Sequence, residues 1–207
     1  LPTETLDDIA AIKTLADKII DLYYTIERRS KRGIGISISL STFIPKPFTP
    51  FEFEPQATKE QIDERQKYLL DIVRSKGGKR IDVSWSHYET TILEAVFARG
   101  DRRVSAVIYD AWKNGCKLDG WNEYFKPEIW DQAFINTGID KAFYANRTRS
   151  YDETAPWDHM DMLFTKDFLI SENKKAHEEK TTAHCREKCA GCGINKCLGK
   201  ACFKYGE

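Results

Sequence analysis

Five of the six cysteines in this chain of 207 residues fall within its last 23 positions: Cys185, Cys189, Cys192, Cys197 and Cys202, in the run CREKCAGCGINKCLGKAC. Thiols at this density serve either disulfide cross-linking of a small secreted domain or capture of a soft metal. No stretch of the sequence reads as a signal peptide or a transmembrane run, and outside the tail there is one further cysteine, Cys116. A metal or iron-sulfur site is therefore expected, against the plainer reading of a tail whose thiols do nothing. Cys185, Cys189 and Cys192, spaced by three and two residues, can converge through a tight turn for which Gly191 and Gly193 supply backbone freedom. The fourth ligand is expected from Cys197 or Cys202, and His184 could replace a thiolate. Thiolate ligation alone does not decide between iron-sulfur and zinc.

Charge narrows the partners. Lys plus Arg equals Asp plus Glu, 32 each, so no global field draws the chain to nucleic acid or to a membrane surface. The tail departs from this balance: Lys180, Arg186, Lys188, Lys196, Lys200 and Lys204 face only Glu187 and Glu207, a local +4 that thiolate ligands would offset. RNA binding by the tail is compatible with that charge but not required by it. No membrane partner is expected, and reduced thiols suit a cytoplasmic setting.

The elements that must position such groups can be read from periodicity. Thr5 to Ser30 reads as one amphipathic helix, N-capped by Thr5 with Asp8 and ended by Gly33. Ile34 to Ser41 is a strand in which Ile and Leu alternate with Gly35, Ser37, Ser39 and Ser41. A row of small hydroxyls suggests a face turned toward a cavity, the alternative being a solvated serine ladder. Pro45, Pro47 and Pro50 stiffen the aromatic loop that follows. A helix is expected from Thr58 to Lys76, stopped by Gly77 and Gly78; then a strand, Ile81 to Trp85; then helices from Glu89 to Phe97, Val104 to Trp112 and Glu128 to Ile135. Strand, helix and strand in sequence give an α/β class with a mainly helical extension.

The histidines are weaker candidates. His87 and His159 sit in polar-aromatic loops, and Asp158-His159-Met160-Asp161 could orient a base or bind a cation, although such a loop is more often a packed hydrogen-bonded turn. His177 reads as a solvated helix residue.

Several of these segments together resemble one family. Leu1-Pro2-Thr3-Glu4-Thr5 looks like the segment that follows the fifth barrel strand in many radical S-adenosylmethionine (radical SAM) enzymes, and Ser39 to Phe51 resembles the sixth strand and its loop. Ser84-Trp85, Glu89-Thr90, Glu94 to Arg103, Gly120-Trp121 and Pro156-Trp157-Asp158-His159 are similar to the C-terminal region of a poorly characterised bacterial family with a cobalamin-binding-like domain before its radical SAM core, which also ends in a cysteine cluster.

The resemblance implies the C-terminal part of a partial (β/α)6 barrel, with residues 1–78 ending the barrel, 79–179 forming a mainly helical extension and 180–207 a cysteine-rich tail. It implies an enzyme that reductively cleaves S-adenosylmethionine at a 4Fe-4S cluster to start radical chemistry, with Ser39, Ser41, Thr42, Phe43 and Ile44 at the cofactor. It further implies an N-terminal portion of the same polypeptide, which could carry cobalamin, and an electron donor such as ferredoxin or flavodoxin. Cys185, Cys189 and Cys192 have the spacing of the catalytic cluster motif, but in these enzymes that motif lies after the first barrel strand, so the tail is read as an auxiliary iron-sulfur or zinc site. Catalytic residues are not assigned within this chain. The competing reading is a non-enzymatic metal-binding module that docks a protein or RNA partner.

Overall fold

The first helix starts at a reciprocal cap. Thr5 Oγ1 accepts the Asp8 N–H at 3.3 Å, and Asp8 Oδ2 accepts the Thr5 N–H at 2.8 Å, so the first turn satisfies two otherwise orphaned donors. The bonds from Thr5 hold the Asp8 carboxyl below its ordinary pKa. The computed structural model describes residues 1–27, 32–75, 80–197 and 202. Helix α1 spans Leu6–Thr25 and ends where Ile26 turns extended and returns its N–H to the Tyr23 carbonyl. The expected continuation to Ser30 reaches residues outside those described, as do the stop at Gly77-Gly78 and the side chain of Cys197.

The chain forms two compact units, Leu1–Ile44 with Ala57–Ile92, and Pro45–Gln56 with the residues from Leu93 onward. In the first, β1 (Ile36–Leu40) and β2 (Ile81–Trp85) pair in parallel, with Ile36 opposite Ile81 and Leu40 opposite Trp85. Parallel neighbours need a crossover, and α2 (Lys59–Ser75) supplies it. One face of the pair is apolar: Ile36, Ile38, Leu40, Ile81 and Val83 pack with Ile9 and Ala16 of α1 and Leu69 and Val73 of α2. β2 therefore belongs with β1, whereas the sequence division placed it beyond residue 78 in the helical extension. The pairing buries Ile81 against α1 and α2, a contact distant in sequence that local periodicity does not report.

The second unit is helical. After a short 3₁₀ turn at Pro50–Phe53 it takes up the end of α3 (Tyr88–Arg99), then α4 (Val104–Lys113), α5 (Pro127–Thr137), α6 (Lys141–Ala145), α7 (Lys166–His177) and α8 (Ile194–Cys197). Of helix α7 the sequence reading included only His177, as a solvated helix residue, and not the extent from Lys166, because the residues KDFLISENKKAH are mostly charged or polar and give little periodic signal. Gly100 fixes the tight junction of α3 with α4. A Cβ there would lie 2.6 Å from both the Val96 carbonyl oxygen and Val104 Cγ2, whereas one at Gly120 meets nothing within 4 Å.

The contrast between these glycines is measurable. Gly100→Ala should cost about 1–3 kcal/mol of stability through that overlap, read as a lower urea midpoint, while Gly120→Ala should leave the midpoint nearly unchanged. Equal midpoints for the two variants would contradict the close approach.

Candidate functional site

β1 runs into the residues that the sequence singles out for a cofactor. Ser37 and Ser39 point away from the apolar core and are exposed, as is Ser41, whereas Thr42, Phe43 and Ile44 are partly buried. The register adds two residues that the sequence reading did not include: Asp82 stands opposite Ser37 and Ser84 opposite Ser39, both exposed. The outer face of the parallel pair is thus an exposed surface of three hydroxyls and one carboxylate.

In the second unit the aromatic loop after β1 is held by buried polar groups. Arg99 is wholly buried and donates to the carbonyl oxygens of Glu54 (2.6 Å), Glu52 (3.4 Å) and Ala145 (3.5 Å). Burial, with Arg149 and Arg147 nearby, pulls its pKa down to about 10, so it stays charged at neutral pH. Arg149 donates to the Arg99 carbonyl and to Glu153, and its own N–H bonds the Phe53 carbonyl at 2.8 Å. Glu52 Oε2 accepts the Phe48 N–H (2.7 Å) and the indole N–H of Trp157 (3.1 Å). Glu54 Oε1 accepts from Asn173 and meets His177 Nε2 at 2.6 Å. His177 is therefore paired with a carboxylate from the loop and is not the merely solvated residue that its sequence context suggests. The signal for this network was weak in the sequence, because glutamates in a Pro/Phe loop look solvated until a distant arginine is brought over them.

Phe48 is the focus of this loop. Its φ of +62° is left-handed, a strained backbone for a residue with a Cβ, and the bond to Glu52 retains it. Its ring meets Phe164 edge-on, with centroids 6.5 Å apart. A cavity of about 10 Å³ lies between Glu52, Arg149, Glu153, Trp157 and Lys166, the room of one water and too small for a substrate.

The Asp158–Asp161 loop is a hydrogen-bonded turn. Asp158 accepts from the Ala155 N–H and from Lys166, Asp161 from the Leu163 N–H, and His159 Nδ1 lies 2.9 Å from the Pro156 carbonyl oxygen. His87 is exposed. His184 Nδ1 accepts the Arg186 N–H at 3.2 Å.

The tail doubles back along α7. Thr182 Oγ1 donates to Glu172 (2.8 Å) and accepts from Lys175 (3.0 Å), and the Cys192 carbonyl accepts the Thr165 N–H at 2.9 Å. Cys185, Cys189 and Cys202 are exposed, Cys192 is half-buried, and all four are free thiols. Gly191 and Gly193, which bracket Cys192, both take left-handed backbone, φ +72° and +102°. The donor set and its glycine turn fit a soft metal chemically. Among the described residues no three His, Cys, Asp or Glu side chains stand close enough to share one ion, so a metal would have to draw Cys185 and Cys189 toward the fixed backbone of Cys192.

No family model matches the chain, and no solved structure matches it. An uncharacterised protein of Methanocaldococcus jannaschii is 29% identical to it over 120 residues, covering 57% of this chain and 23% of the archaeal protein, so the match spans about a quarter of that relative's length. Among the described residues no helix is long and apolar enough to cross a membrane.

Burial raises the Glu52 pKa above its ordinary 4.5. The folded chain then keeps a proton that the unfolded chain releases, so stability falls as pH rises through 4.5 and upward. Glu52→Gln retains an acceptor for Phe48 and Trp157 and should flatten that decline in urea titrations between pH 4.5 and 7. An unaltered pH profile would show that the Glu52 carboxyl is not the group responsible.

Proposed function

We propose that this chain is the C-terminal portion of a radical SAM enzyme. The observation that carries the reading is the parallel β1–α2–β2 unit, whose outer face bears Ser37, Ser39, Asp82 and Ser84 and whose first strand leads directly into Ser41–Ile44. Ligands of α/β folds gather at the carboxyl ends of parallel strands, and two of the segments resembling the family, Ser39–Ile44 and Ser84-Trp85, lie there. In this reading Ser39, Ser41, Thr42, Phe43 and Ile44 border S-adenosylmethionine: the serines keep the space open and the apolar side chains of Phe43 and Ile44 face its adenine. The cluster-binding loop, and cobalamin if the enzyme uses it, belong to an upstream portion of the polypeptide. Ferredoxin or flavodoxin would supply the electron, and the cytoplasm keeps the thiols reduced.

Cys185, Cys189 and Cys192, with Cys197 or Cys202, hold an auxiliary metal centre in this reading. Iron-sulfur is favoured by the family resemblance, and zinc is the alternative. The group would supply electron-transfer or substrate-binding capacity. The protein's own contribution is the turn through Gly191 and Gly193 and the docking of that turn on α7.

The full-length polypeptide, purified without oxygen, provides the test. Ser41→Trp should weaken S-adenosylmethionine binding by blocking the space beside the strand, and Cys189→Ser should lower bound iron and sulfide by about one cluster while leaving the other cluster in place. Unchanged binding in the first variant removes the cofactor placement. Stoichiometric zinc without iron, together with no cleavage of S-adenosylmethionine, would make the chain a metal-binding module that docks a protein or RNA partner.

A further inference from the structure

The tail is docked rather than tethered. Its second anchor is a backbone bond, Thr165 N–H to the Cys192 carbonyl at 2.9 Å, made by the residue whose hydroxyl also caps α7 by accepting the Phe168 N–H. Beside that bond Gly193 lies so close that a Cβ would sit 2.9 Å from Thr165 Cγ2 and 3.4 Å from Thr165 N, and its φ of +102° disfavours any side chain. The preceding residue, Phe164, packs its ring against Phe48, whose backbone is left-handed and held by Glu52. Three adjoining contacts therefore connect the cysteine turn to the stiff aromatic loop: Cys192 to Thr165, Phe164 to Phe48, and Phe48 to Glu52.

We propose that Thr165 and Gly193 are positioning residues for the tail metal centre, and that loading this centre stiffens the loop from Pro45 to Phe53 through the Phe164–Phe48 contact. This inference rests on the metal reading of the tail. Cys192 is the one described tail thiol that is half-buried, and its carbonyl is bonded to Thr165 without any metal, so it is the nucleus on which exposed Cys185 and Cys189 close. Closing them restrains residues 185–193 and with them the bond to Thr165. Phe164 then has less freedom to leave Phe48, and the strained loop has less freedom to open.

The experiment uses the whole chain and Co²⁺ as an optical probe of thiolate ligation, with no dependence on catalysis. Gly193→Ala keeps every cysteine and should weaken Co²⁺ binding by about tenfold or more, the size expected when the support of a ligand is lost. Thr165→Ser keeps the N–H and the cap but removes Cγ2, so it should bind Co²⁺ like the wild type. The double variant should recover part of the Gly193→Ala loss. Amide exchange in residues 46–53 should slow when Co²⁺ is added to the wild type, but not in Phe164→Ala, which should still bind the ion. Wild-type affinity in Gly193→Ala, or a double variant no better than the single one, overturns the positioning role. Exchange in residues 46–53 that ignores Co²⁺ in the wild type overturns the coupling. A wild-type chain that takes up no Co²⁺ overturns the metal reading of the tail, and this inference with it.

Discussion

The guanidinium of Arg99 organises the second unit. It lies without solvent contact at the end of α3 and binds main-chain oxygens of Glu52, Glu54 and Ala145, two segments far apart in sequence. A buried cation without partners would be prohibitive, so the backbone that supplies those oxygens must hold its shape. The segment thereby constrained is the one that follows the stiff loop after β1. Arginine suits the task because its fork of donors can address several carbonyls at once and keeps its charge even where burial opposes it.

Once the main chain of Glu52 and Glu54 is fixed, their side chains are aimed as well. Glu52 reaches back to the Phe48 N–H and across to Trp157, and Glu54 reaches Asn173 and His177 on α7. The loop is thus clamped from both sides, by the turn that carries Trp157 and by the helix that carries the tail. Arg149 lies under the indole, with its guanidinium carbon 5.1 Å from the Trp157 ring, and shares Glu153 with Arg147. The hydrogen bonds from Arg147 keep the Glu153 carboxyl below its ordinary pKa, so this arm of the network remains ionised at neutral pH. Two segments, Ala98-Arg99-Gly100-Asp101-Arg102-Arg103 and Pro156-Trp157-Asp158-His159, find their physical meaning here. Arg99 and Trp157 build the clamp, Gly100 lets α3 and α4 meet, and Asp101, held at a pKa of about 2 by Arg103 and Tyr144, fastens the junction to α6.

The first unit depends on a different constraint. Its two strands are parallel, so their ladder exists only because α2 carries the chain back, and their apolar face is stable only because α1 and α2 cover it together. The opposite face is small and polar throughout. That asymmetry is what makes the pair suitable as the wall of a ligand site, a role that rests on the functional proposal.

Local chemistry was legible in the sequence where it was strongly periodic or strongly local. The Thr5–Asp8 cap, both strands, the cores of the helices from α1 to α5 and the alternation that puts Ser37 and Ser39 on one face follow from residue type and spacing, because caps and side-chain direction are decided within a few residues. The density of thiols in the tail is likewise plain from composition, and the metal reading built on it remains part of the functional proposal. What the tertiary structure decided is which of these pieces meet. It paired β2 with β1 and so placed Asp82 and Ser84 beside the serines, covered Glu52 and Glu54 with Arg99, gave His177 a carboxylate partner, and folded the tail back so that Cys192 rests on Thr165. Each of these depends on contacts between residues distant in sequence, and for such contacts the free energy lies in burial and desolvation that no local pattern of residue types encodes.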